Sequence, residues 1–247
     1  MIDGMKLVIA TPFYNMSGWS PYIKSLAVTM QFLAKHTPIE VQFWSLNGDS
    51  YVERARNTIA NTFMESDNTH LLFIDSDMEW DLGGLTKLLA SDVDVVGAGY
   101  PCKNVWHFYG CIIDTNEDET PKVDPKTGLI SAWGVPTGFM KIRRQVFEKL
   151  AAAQPDNFYF VRNEGDKEPT KIYNFFGRVP PLGEDISFCR RWVEIGGKLW
   201  VQPEVRIIHY GTKGWEGHYG DFLRACPGGS NDPARMRDNT PLPAAAK

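Results

Sequence analysis

Two carboxylates at the end of an apolar run are the residues of this sequence best suited to chemistry. Leu71-Leu72-Phe73-Ile74 is followed directly by Asp75-Ser76-Asp77. Four apolar residues in a row read as a strand buried on both faces. At strand spacing, i and i+2, both Asp side chains fall on one face. Two carboxylates closing a buried strand are costly unless a positive charge neutralises them. A divalent cation carrying a phosphate ligand does this, because Mg²⁺ and Mn²⁺ favour carboxylate and phosphate oxygens. A solvated acidic turn is the plainer alternative.

Three other places carry reactive side chains. Arg56 falls on the apolar stripe Val52, Ala55, Ile59, Phe63 of an expected helix, whereas Arg54, Asn57 and Asn61 fall outside it. An arginine on a core-facing stripe needs a carboxylate, carbonyls or a ligand phosphate. Asp75 and a bound phosphate are both open as partners. Glu184-Asp185 opens another expected helix, where a carboxylate is also favoured by the helix dipole alone. Asp185 shares its face with Cys189, Trp192 and Val193 and so points toward the core; Glu184 is turned about 100° away. His209 ends the apolar run Val205–Ile208, as a structural residue or as a ligand. The segment Gly134–Met140 is dense in turn residues. It either lets a ligand approach the backbone closely or is plain connection.

The elements that must position these groups alternate. Strands are expected at Lys6–Ala10, Ile39–Leu46, Leu71–Ile74, Val93–Pro101, Phe158–Val161, Leu199–Val201 and Val205–Ile208. Helices are expected from Ser20 (N-cap, with Pro21 next) to Lys35, Tyr51 to Ser66, Leu82 to Ser91 (N-cap Asp81), Arg144 to Ala153 and Asp185 to Ile195. The first helix should bury Ile23, Leu26, Ala27, Met30, Leu33 and Ala34, and Thr11–Asn15 should be a loop. Strand–helix alternation argues for an α/β domain with a largely parallel sheet. Tyr109–Asp114 and Leu129–Val135, joined by a polar stretch, read as an antiparallel hairpin at its edge.

Composition limits the possibilities. With 247 residues, 43% of them hydrophobic, the chain can build a substantial core. A net charge of −4 gives no electrostatic case for a nucleic-acid partner. Cys102, Cys111, Cys189 and Cys226 have no metal or redox spacing, so free thiols in a reducing compartment are expected. No apolar run approaches the ~20 residues of a membrane span, and no signal sequence is evident, which gives a cytoplasmic expectation. One domain over 1–225 and a loosely ordered tail over 226–247, rich in Gly, Pro, Asn and Asp, complete the expected organisation.

In order, Leu7–Tyr14, Glu53–Asn57, Thr69–Asp77, Gly99-Tyr100-Pro101-Cys102-Lys103, Thr137–Met140, Gly183–Cys189 and Ile208–Gly211 resemble the segments of glycosyltransferases of the GT-A fold. The likeness covers roughly residues 6–215, and is closest to compact family-2-like and mannan-polymerase-like enzymes of phage and bacteria. It implies an α/β, Rossmann-like fold, a mostly parallel sheet with helices on both faces and an inserted antiparallel hairpin. It also implies transfer of a sugar from a nucleotide-sugar donor to a glycan or other hydroxyl acceptor, with Mn²⁺ or Mg²⁺ as cofactor.

Carried over by residue, the resemblance implies donor contacts from Thr11, Pro12, Tyr14, Arg56, Asp75, Ser76 and Lys213. Metal ligation would come from Asp75, Asp77 and His209, and acceptor contacts from Gly138, Trp133 and Trp215, with Tyr219 a further candidate for stacking on a sugar. Asp185 and Glu184 would be the catalytic carboxylates, with Asp185 a general base in an inverting enzyme and a positioning group in a retaining one. Two other functions stay open. One is a sugar-1-phosphate nucleotidyltransferase, whose Gly-rich phosphate loop is missing after the first strand. The other is a non-catalytic nucleotide- or glycan-binding protein of the same fold.

Overall fold

The computed structural model describes residues 4–103, 108–162, 165, 167–212 and 214–226. Lys213 and the tail from residue 227 on lie outside the described residues; Cys226, the first tail position, is buried. The first half of the chain runs β1 (Lys6–Phe13), α1 (Ser20–His36), β2 (Glu40–Asn47), α2 (Val52–Glu65), β3 (His70–Ile74), β4 (Met78–Trp80), α3 (Leu82–Ala90) and β5 (Val95–Gly97). Then follow β6 (Ile112–Ile113), β7 (Ile130–Gly134), β8 (Phe139–Arg143), α4 (Arg144–Ala153), β9 (Phe158–Val161) and β10 (Thr170–Tyr173). The described chain closes with α5 (Glu184–Glu194), β11 (Leu199–Val201), β12 (Arg206–Tyr210), β13 (Gly214–His218) and α6 (Tyr219–Ala225).

Eight strands form the central sheet in the order β2-β1-β3-β8-β5-β11-β7-β6. The pairings leave β8 and β7 running against the other six. The expected hairpin is β6–β7, at the sheet edge. Alternation sorts the strand residues onto two cores. Val8, Ala10, Leu71, Phe73, Met140 and Ile142 pack beneath α2, α4 and α5. Leu7, Ile9, Leu72, Ile74, Val96 and Phe139 pack beneath α1 and α3. Helices thus cover both faces.

Several expectations need correction. β1 does not stop at Ala10 but continues through Thr11-Pro12-Phe13, because β2 pairs with it as far as Asn47. The N-cap of α1 is Trp19, with no side-chain cap. α1 is rotated from the expected stripe: it buries Tyr22, Ser25, Thr29 and Leu33 and leaves Ile23 57% exposed. Polar residues win the inner face because they have partners there. Tyr22 meets the Thr11 hydroxyl at 2.5 Å, and Trp80 Nε1 donates to Thr29 Oγ1 at 3.0 Å. Asn57 and Asn61 of α2 are likewise buried. Asn61 exchanges two hydrogen bonds with the Tyr173 backbone (2.9 and 3.0 Å), and Asn57 accepts from Phe176 N at 2.8 Å. A hydrophobic pattern has no way to register such backbone clamps.

β4, β8, β10, β13 and α6 were unexpected. β8 hides behind Lys141, a fully buried lysine that breaks the apolar run. Its ammonium donates to the Leu89 and Ser91 carbonyls (3.0 and 2.6 Å), closing the end of α3, and burial lowers its pKa to about 7. β4 pairs with β12, which pairs with β13, forming a three-stranded antiparallel sheet.

His70 opens β3 with its Nδ1 2.8 Å from Thr69 Oγ1. Burial first, then the Lys141 and Arg143 charges, lowers its pKa from 6.5 to about 4. Between those values the unfolded chain binds the proton and the folded one does not, so stability falls as pH drops through this window. Denaturant titrations at pH 7 and pH 4.5 should find that wild type loses roughly 2 kcal/mol more than His70→Gln. Equal losses would remove His70 as the cause.

Candidate active site

The reactive residues converge where β1, β3 and β5 end, the side on which open α/β sheets bind ligands. β3 stops at Ile74, and Met78 N bonds back to Asp75 O at 3.2 Å, so Asp75-Ser76-Asp77 is a turn. The strand-spacing expectation that the two carboxylates share one face therefore fails. Asp75 turns to Arg56; Asp77 turns to Lys103 and His209.

Arg56 is 3% exposed. Its Nη2 lies 2.9 and 3.1 Å from the two Asp75 oxygens, and its Nη1 pairs with Glu184. Burial disfavours the guanidinium charge, but Asp75 and Glu184 outweigh it and raise the Arg56 pKa. Of the partners the sequence leaves open, Asp75 is the one the structure places on Arg56, and Glu184 is a second carboxylate beside it.

Asp77 Oδ2 pairs with Lys103. Asp77 Oδ1 is buried without a hydrogen-bond partner among the described residues. His209 Nε2 lies 3.6 Å from that oxygen. His209 Nδ1 is 2.9 Å from the Pro101 carbonyl, which can only accept, so the ring donates through Nδ1; Nε2 faces Asp77 with a lone pair in the neutral ring and with an N–H in the protonated one. Burial pushes the Asp77 carboxyl up, but the protonated form of His209 and the Lys103 ammonium prevail and hold it below its usual range. Among the described residues no three His, Cys, Asp or Glu side chains gather as a ligand set; Asp75, expected as a ligand, is engaged by Arg56.

Asp185 sits in the first turn of α5, where Ile186 N donates to its Oδ1 at 2.7 Å. Burial, then the Glu184 charge, raises its pKa. Tyr100 lies between these groups. Its buried hydroxyl accepts from Gly138 N at 3.2 Å, and its ring packs edge-on against His209 at 5.1 Å. A Cβ on Gly138 would overlap the Tyr100 hydroxyl and come within 2.8 Å of Asp75 Oδ2. Glycine here lets the three residues meet. Beside it, the Thr137 hydroxyl is buried with no partner among the described residues.

The other expected contacts divide. Pro12 and Tyr14 line a cleft of about 170 Å³ with Asp49, Tyr51, Glu53 and Arg178, at the start of α2. Thr11 does not reach it, being fully buried with its hydroxyl on Tyr22. The Ser76 carbonyl is taken by Trp19 N at 3.1 Å. Trp215 stands opposite His209 in the β12–β13 pairing. Trp133 is on β7, separated from β3 in the sheet by β8, β5 and β11. Tyr219 is fully buried beside Tyr109 and Phe222 and presents no face to a sugar.

Tyr100, Lys103 and the Pro101 carbonyl were not expected as site groups. Their segment ends a strand with Gly and Pro, which signalled a break but not a destination for the side chains.

No protein-family model and no curated protein matches the chain. Among solved structures it is similar to GalNAc-T7 with UDP, GalNAc and Mn²⁺, at a TM-score of 0.51 and 14% identity, over 90% of this chain. The chain spans about half, 48%, of that protein's length. Lower scores relate it to a glycosyltransferase involved in glycosylation of the major capsid of PBCV-1 (TM-score 0.40, 15% identity, 79% of this chain and 81% of that one). HddC from Yersinia pseudotuberculosis complexed with GMP-PN gives 0.36 and 12% identity over 90% and 98%. The likeness to GalNAc-T7 is one of fold, and the architecture is of the GT-A type.

Removing Arg56 leaves two carboxylates facing each other. Arg56→Met should cost roughly 2–3 kcal/mol in chemical denaturation, below the full penalty for breaking a buried pair because Asp75 keeps some solvent contact. A loss under ~0.5 kcal/mol would show that the pairing does not hold the site together.

Proposed function

We propose that this chain is a glycosyltransferase that moves a sugar from a nucleotide-sugar donor to an acceptor hydroxyl, with a divalent cation held by Asp77 and His209. The observation that carries the reading is the buried Asp77 Oδ1, without a hydrogen-bond partner among the described residues, at 3.6 Å from His209 Nε2. Two atoms that each bind one cation at roughly 2 Å are separated on this scale. The Nδ1 contact to Pro101 O supplies the outer-sphere hydrogen bond that ligating histidines almost always make. Carboxylate with imidazole suits Mn²⁺ at least as well as Mg²⁺. When bound, the cation would neutralise the departing nucleoside diphosphate.

The remaining roles follow from position. The cleft bounded by Pro12, Tyr14 and Tyr51 offers flat walls to a nucleoside base, with Asp49, Glu53 and Arg178 as polar groups. Arg56 fixes Asp75, whose partly exposed oxygens can still accept from a ribose hydroxyl. Gly138 leaves room at the reacting centre, and Trp215, across from His209, would flank the acceptor. Asp185 would take the acceptor proton; burial strengthens it as a base by disfavouring its charge. The GalNAc-T7 likeness supports this reading through its fold and its bound UDP, GalNAc and Mn²⁺.

A thermal-shift screen of nucleoside diphosphates, with Mn²⁺ and with EDTA, is the first test. A ligand at 100 times its Kd adds about 2.7 kcal/mol. Asp77→Ala should fold and lose the Mn²⁺-dependent shift; an unchanged shift would remove the cation from Asp77. Asp185→Asn should keep that shift and lower transfer at least ~100-fold. Near-normal turnover would take Asp185 out of the chemistry.

A further inference from the structure

Lys103 has no part in the function proposed above, although it occupies half of the carboxylate on which that function rests. Its ammonium pairs with Asp77 Oδ2, while Oδ1 faces His209 and has no hydrogen-bond partner among the described residues. The pair is only partly covered, with Lys103 35% and Asp77 24% exposed, so solvent reaches both partners. Its stem lies against Gly211: a Cβ there would come within 3.1 Å of Lys103 Cδ and 3.0 Å of Trp215. A glycine next to the His209 strand thus keeps open the lane that the lysine stem occupies. Among the described ion pairs at Asp77, the other partner is His209, through the opposite oxygen.

We propose that Lys103 is a counter-ion gate: it competes with the divalent cation for Asp77 in the unliganded protein and transfers its charge to the donor diphosphate when the cation binds. This rests on the cation reading of Asp77 and His209. Two consequences have opposite signs. Cation binding alone must displace an ammonium, which weakens it. Cation binding with a diphosphate present regains that ammonium as a phosphate partner, which strengthens it. Lys103 therefore couples the two ligands, and is a positioning residue as well as an electrostatic one.

The test is Mn²⁺ binding to the full chain, followed by electron paramagnetic resonance of free Mn²⁺, without nucleotide and with saturating UDP or GDP. Lys103→Met should bind Mn²⁺ alone more tightly than wild type, by up to about fivefold, the scale of a partly exposed ion pair. The same variant should show a smaller enhancement of Mn²⁺ affinity by nucleotide. Lys103→Arg, which keeps the charge, should stay near wild type in the first measurement. A Met variant that binds Mn²⁺ alone no more tightly, or whose nucleotide enhancement is undiminished, overturns the gate while leaving the cation site intact. Absence of Mn²⁺ binding by wild type and Met variant alike, with and without nucleotide, overturns the cation reading itself and the gate with it.

Discussion

The buried Arg56 guanidinium is the interaction on which the site depends. It ties three separate elements: α2, which carries it, the turn after β3 through Asp75, and the start of α5 through Glu184. A charge this deep is tolerated only with its carboxylates in place. Two carboxylates on one arginine leave an excess of negative charge, and the excess grows around it. Asp75, Asp77, Glu184 and Asp185 contribute −4 against +2 from Arg56 and Lys103, a formal −2 with His209 neutral. A divalent cation would complete that charge, and a diphosphate would then call for more positive charge than the protein alone supplies.

The framework explains why these groups can meet. Strand alternation separates two apolar cores, so each face of the sheet is closed by its own helices. Only the strand ends stay open, and the polar groups collect there. β8 matters most in this respect. Because it runs against β3 and β5, its leading end, Gly138, arrives at the same edge as their trailing ends. A parallel strand in that place would have carried Gly138 to the opposite edge, and Tyr100 and Asp75 would have lost the gap between them.

What the sequence revealed and what it concealed have a common physical origin. Helix α4 was legible to the residue, and Asp81 as the cap of α3 is confirmed by its bond from Gly84 N at 2.5 Å. Apolar runs and cap signals are local, and local signals survive translation into structure. The stripe of α1 and the burial of Asn57 and Asn61 depend on partners 50 or more residues away in several cases, such as Trp80 for Thr29 and Tyr173 for Asn61. Hydropathy counts such residues as surface. Lys141 is the same failure inside a strand: a buried ammonium answered by two carbonyls looks, in sequence, like the end of the strand. At the site, Asp75, Asp77, Arg56, Asp185 and His209 stand out in the sequence, and Asp75 is one of the partners it leaves open for Arg56; the second partner, Glu184, and the pairing of Asp77 with Lys103 do not. Strand spacing joined the two Asp residues, whereas the turn divides them.

That division has a mechanistic value. Were both carboxylates on one face, each would raise the cost of the other's charge, and a cation would have to reconcile them. In the turn, Asp75 is spent on the protein's own arginine and becomes part of the scaffold. Asp77 is left with one oxygen toward Lys103 and one toward His209. In the proposed function the scaffold pair and the cation site are thus separate although two residues apart. On the proposed function, substitutions at Arg56 would act on the fold and those at Asp77 on cation binding. Tyr100 joins the two, with its hydroxyl at Gly138 and its ring against His209. A disturbance at the scaffold pair would therefore reach the imidazole by a short path of packed groups, even though Arg56 itself makes no contact with Asp77 among the described hydrogen bonds.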